Sequence, residues 1–79
     1  MYLSENYIVF PEGETQEVGK PLAFDALVDL NGVELEFPLA SPRIIAYRVV
    51  KIRREEGKGG TRSFHYLELV SAAELHGYL

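Results

Sequence analysis

Apolar and polar positions alternate along two long stretches of the chain, and alternation with period two marks half-buried β-strands. The first stretch is LAFDALVDLNGVELEFPL, residues 22–39. Phe24, Ala26, Val28 and Leu30 share one face, and Val33, Leu35 and Phe37 continue it after Asn31-Gly32, while Asp25, Asp29, Glu34 and Glu36 point away. Asn-Gly tolerates the positive φ that a type I′ turn needs, so this stretch predicts a β-hairpin. A two-residue turn sets Asp29 opposite Glu34, and like charges directly opposite are unfavourable. A helix at about 21–31 is the alternative. Pro21 would open it, Gly32 would follow its end, and Leu22, Ala23, Ala26, Leu27 and Leu30 would form its stripe. The hairpin is preferred because the alternation runs unbroken through the turn.

The second stretch is residues 41–70. Residues 43–54 are rich in Ile, Val and Tyr, which favours a strand. A helix started by Ser41-Pro42 would place Glu55 and Glu56 at the negative end of its dipole. The alternation slips within the strand: Ile45, Tyr47 and Val49 share one face, Val50 and Ile52 the next. A β-bulge near Val49-Val50 reconciles the two halves. EGKGG reads as the loop, and Phe64 to Val70 as the returning strand. Before both stretches, Asn6 to Phe10 reads as a short strand and residues 11–21, with their Gly, Pro and Glu, as a long loop. After them, Ser71 and Glu74 have capping-box spacing. This predicts a short helix from Ala72 to His76, with Leu75 and Leu79 packing inward.

These elements make a mostly β fold: a small five-stranded bent sheet or partly open barrel, of SH3-like or OB-like size, with a short C-terminal helix. The helix at about 21–31 would make it α+β instead. Residues 1–79 are expected to form one small domain. So short a chain has a limited core, and the usual staples are disulfides, a metal or a partner chain. With no Cys and only two His, disulfides are excluded and a metal site is not expected. That leaves packing or oligomerisation. No apolar run approaches the roughly 20 residues of a membrane span, and the first residues lack a signal-peptide pattern. A cytoplasmic location is the default expectation.

Catalytic motifs are not expected. No Ser carries the flanking glycines of a nucleophile elbow. His65 reads as a half-buried strand residue, with Glu68 on the opposite face of its strand. The paired acids of 25–36 read as a solvated face. DLNG at 29–32 lacks the spacing of a calcium loop, and GKGGT at 57–61 lacks that of a phosphate loop. No cofactor is called for.

Charge changes the picture more than motifs do. The chain carries net charge −4, yet residues 1–42 are net −7, residues 43–62 net +5 and residues 63–79 net −2. The basic segment holds Arg48, Lys51, Arg53, Arg54, Lys58 and Arg62, with Tyr47, Phe64 and Tyr66 among them. Ion pairing to the acidic hairpin is one explanation. A second is an interaction surface for proteins, including further copies of this chain, since opposite patches on one molecule complement each other. A third is single-stranded nucleic-acid binding through the hairpin 43–66, with cations on phosphates and rings on bases. The sequence pI of about 5.0 weighs against the third. The expectation is therefore a non-enzymatic binding domain (adaptor, subunit or regulator) that mediates protein–protein interaction and can self-associate, with nucleic acid as the alternative ligand. Its candidate site is the basic and aromatic set just named.

Overall fold

The computed structural model describes residues 3–39 and 44–77. Five strands form one mixed sheet: β1 (Leu3–Val9), β2 (Thr15–Val18), β3 (Leu27–Asp29), β4 (Ala46–Gly57) and β5 (Gly60–Leu69), followed by helix α1 (Ala72–His76). The strand order is β2-β1-β5-β4-β3, and the sheet curls into a half-barrel. β1 runs parallel to β5, and the remaining neighbours are antiparallel. Among the described residues no helix is long and apolar enough to cross a membrane.

The mostly β class and the short C-terminal helix match the sequence reading, but the strands are not all where the pattern put them. The expected loop at 11–21 contains β2, a short edge strand with alternate side chains partly covered. Residues 33–39 form no strand and hold one isolated bridge, Val28 to Glu34. No helix forms at 21–31, and β3 keeps three residues of the predicted strand.

The turn at Asn31-Gly32 is also shifted. Asp29 N–H donates to the Val33 carbonyl and Gly32 N–H to the Asp29 carbonyl, so Leu30, Asn31 and Gly32 form the loop. The Asp29 carboxylate accepts from the amides of Asn31 and Val33, which selects this longer loop. Gly32 has φ +80 and fills the left-handed position. The shift moves Asp29 away from Glu34, so the like-charge opposition of the two-residue register does not arise.

Adjacent residues of a strand point to opposite faces, and β3 and β4 use both. On the inner face Val28, Tyr47 and Val49 join Ile8, Phe10, Leu22 and Leu67 in the main core. On the outer face Leu27 and Ala46 join Leu39, Val70 and Leu75 in a second, smaller core beneath α1. The helix is capped by Ser71, whose hydroxyl accepts from the Glu74 amide at 3.2 Å. The reciprocal half of the capping box is not made, because the Glu74 carboxylate bonds Arg48 instead.

The β-bulge lies where the alternation slipped, between Val49 and Lys51. Beyond it β4 and β5 run out as an arm in which every β4 residue from Val50 to Gly57 is exposed. The start of β1 pairs with the start of β5 along this arm, from Leu3 opposite Gly60 onward. Ser41-Pro42 and Leu79, named above from the sequence, and Arg43 of the basic segment lie outside the described residues.

Candidate functional site

Register places the outer-face side chains in rows that cross the sheet. In one row Glu17, Tyr7, Phe64 and Arg53 stand side by side on β2, β1, β5 and β4. In the next, Thr15, Val9, Tyr66 and Lys51 do the same. Toward the tip of the arm, Arg62 stands between Glu5 and Glu55. Cross-strand neighbours on one face lie within contact, so each row is a chain of side-chain interactions.

The row chemistry is specific. The Tyr7 and Phe64 rings stack, with centroids 5.3 Å apart and planes at 17°. On the far side of Phe64 the Arg53 guanidinium lies 5.2 Å from the ring centroid. Phe64 is thus held between a ring and a cation, and both its faces are occupied. Lys51 lies 5.6 Å from the Tyr66 centroid in the same way. Cation–π contacts at exposed sites contribute about 0.5–1 kcal/mol each.

Carboxylates hold most of the arginines. Arg53 pairs with Glu55 at 3.3 Å and Arg62 with Glu5 at 3.4 Å. Glu5 also accepts a short hydrogen bond from the Tyr7 hydroxyl. That bond, with help from Arg62, holds the Glu5 carboxyl below the usual carboxylate range. The same bond pushes the Tyr7 hydroxyl above the usual tyrosine range, against the opposing charge of Arg62. Arg48 reaches Glu74 at 2.6 Å and Glu68 at 3.3 Å, which keeps its guanidinium firmly protonated. Among the described residues the acidic hairpin is not the neutralising partner. Its Glu34 pairs with Lys20, while the basic segment takes its acids from β1, β4, β5 and α1.

The sequence-derived set therefore divides. Lys51, Arg53, Arg62, Phe64 and Tyr66 share the outer face, joined by Tyr7, Val9 and Glu5 from β1. Only the parallel pairing of β1 with β5 brings the latter three in, and no local signal announces such a pairing. Tyr47 is removed from the set: it lies in the main core, edge-on to Phe10 at 5.1 Å. Arg48 acts as the clamp of α1 and is mostly covered. Arg54 points to the inner face, opposite Ser63, where Ser4, Asn6 and Pro21 help line a depression of about 320 Å³. Lys58 is at the tip of the arm.

His65 is fully buried, and both ring nitrogens are used. The Leu22 N–H donates to Nε2 at 3.1 Å, and Nδ1 faces the Tyr7 carbonyl at 2.9 Å. A backbone N–H can only donate and a carbonyl only accept, so the ring is the neutral Nδ1–H tautomer. This histidine ties the chain around Leu22 to the sheet and offers no nitrogen to a substrate. Among the described residues no group of His, Asp and Glu side chains converges as metal ligands do.

Over residues 2–78 the chain matches the family model described as "Uncharacterised Treponema protein", and it belongs to that family. No curated protein and no solved structure matches it.

Proposed function

We propose that this family member is a non-enzymatic cytoplasmic protein-interaction domain, an adaptor or subunit that self-associates. The observation that carries this reading is the row Tyr7–Phe64–Arg53 on the outer face, where Arg53 is exposed and both rings are half-buried. Aromatic and Arg side chains held rigid by their neighbours are the usual anchors of protein interfaces. Around them stands a rim of both charge signs: Lys51 and Arg62 with Glu5, Glu17 and Glu55. Such a rim suits a protein surface that carries both signs in turn. The test is thermal melting over a concentration series. Partner binding couples to folding by mass action, so the midpoint rises with concentration for a self-associating chain. A midpoint independent of concentration refutes self-association.

Single-stranded nucleic acid is the second reading, favoured by the cations Lys51 and Arg53 against Tyr66 and Phe64. Two features weaken it. Base stacking needs an open ring face, and both faces of Phe64 are taken. Glu5 and Glu55 flank Arg62 and repel phosphate. Fluorescence anisotropy with labelled single-stranded RNA and DNA decides the matter. Saturable binding that weakens by orders of magnitude between about 50 and 200 mM salt would establish this second reading. No binding at the lower salt removes it.

A further inference from the structure

We infer that a second copy of this chain adds to the free edge of β4, antiparallel to it, with Arg54 at the twofold axis. The inference rests on the self-association reading above and names the surface that achieves it.

The edge is defined by the ladder. β3 pairs with β4 over Ala46 to Arg48. The Val49 N–H and carbonyl then bond Ala26 and Asp25. Past the bulge, no described strand lies on that side of β4, and residues 50–57 are exposed. Antiparallel strands turn alternate residues toward each neighbour. The residues that exchange bonds with β5 are Lys51, Arg53, Glu55 and Gly57, as the two-residue loop closing at Gly57 and Gly60 requires. The N–H and C=O groups of Ile52, Arg54 and Glu56 therefore face outward. A long edge of this kind is a template for another strand.

The occupant follows from charge. A twofold axis normal to the sheet brings one residue opposite itself and pairs the flanking residues reciprocally. With Arg54 on the axis, Arg53 stands opposite Glu55 of the second copy, and Glu55 opposite its Arg53. Both are non-hydrogen-bonded pairs, the type in which side chains approach most closely. Moving the axis by one residue sets Arg53 against Arg53 or Glu55 against Glu55 in that close position. With Arg54 central, the self-opposed arginine occupies a wider, hydrogen-bonded pair, with Glu56 of the second copy on its diagonal. The outer-face row Tyr7–Phe64–Arg53 then continues into Glu55, Arg62 and Glu5 of the second copy, with charge alternating along it. The edge is thus complementary to itself in one register, and its outward backbone groups find partners in that same register.

The test uses complementary variants and mass by light scattering. Wild type is expected to be a dimer. Arg53→Glu and Glu55→Arg are each expected to be monomeric, because each variant places like charges in both close pairs of its own dimer. Mixed in equal amounts they should form a heterodimer. The carboxylate introduced at position 53 of one chain then meets the guanidinium introduced at position 55 of the other, and the native Glu55 meets the native Arg53. Arg54→Pro is a second variant. It deletes an outward N–H and leaves the β4–β5 ladder intact, a position where edge strands tolerate Pro, and a folded monomer is expected. If wild type dimerises and both charge variants dimerise equally well, the edge is not the interface while self-association stands. If wild type is monomeric, self-association falls and this inference falls with it.

Discussion

Replacing His65 by Phe isolates the two hydrogen bonds that this ring makes. An aromatic ring remains, somewhat larger than the imidazole, so the main core stays filled. What is lost is the acceptor for the Leu22 N–H and the donor to the Tyr7 carbonyl. Both backbone groups sit beside a side chain that is 1% exposed, so water does not replace the ring nitrogens there. A stranded buried donor costs about 1–3 kcal/mol, and a lost hydrogen bond at a carbonyl about 0.5–1.5 kcal/mol. A total of about 3 kcal/mol corresponds to a fall in Tm of roughly 12–24 °C for a domain of this size. Circular dichroism at fixed chain concentration measures that fall, and hydrogen exchange at the Leu22 amide locates it. The segment around Leu22 should exchange first, because its link to the sheet is gone. A Tm within about 3 °C of wild type, with the Leu22 amide still protected, would refute this assignment of His65.

Gly60→Ala should destabilise by about 1–3 kcal/mol, the range for steric overpacking. A Cβ there would lie 1.8 Å from the Leu3 carbonyl oxygen. The first β1–β5 pairs should open, seen as faster exchange of the Leu3 amide, which bonds the Gly59 carbonyl. Arg48→Ala should release α1, read as loss of protection at the Leu75 amide while the β5 amides stay protected. Unchanged Leu75 protection would show that apolar packing alone holds the helix. The Glu5–Tyr7 bond has opposite consequences at the two ends of the pH scale. The folded-state pKa of Glu5 is lowered, so its contribution is present above the ordinary carboxylate range and is lost as pH falls through the lowered value. The folded-state pKa of Tyr7 is raised, so its contribution is present below about pH 10 and is lost as pH rises through the raised value. Tyr7→Phe should move the Glu5 midpoint upward in a carboxyl-carbon NMR titration, and an unmoved midpoint would show that the hydroxyl is not the cause.

The parts of this fold that were legible in the sequence are those whose causes are local. The slip in alternation between Tyr47, Val49, Val50 and Ile52 located the bulge because side-chain direction has a strict period of two. Ser71 located the helix start because its hydroxyl bonds an amide three residues on. The β1–β5 ladder was not legible, since parallel partners are distant in sequence and share no turn. β2 was hidden because a short edge strand rich in polar residues resembles a loop. The turn register was misread because the Asp29 side chain, rather than Asn31-Gly32 alone, selects the loop length. At the candidate site, charge clustering overstated the free charge of the segment. The acids that answer it, Glu5, Glu68 and Glu74, arrive from both ends of the chain. Tyr47 was assigned to the surface by its neighbours' charge, although alternation already placed it with Val49, on what proves to be the core face.

Under the proposed function this chain works through contacts with other protein chains, copies of itself among them. Sedimentation equilibrium of the wild-type chain from about 5 to about 500 μM tests it most directly, because association is read from mass action alone. Self-association predicts a molar mass that climbs from 8.9 kDa toward twice that value as concentration rises. A mass of 8.9 kDa at every concentration would contradict it.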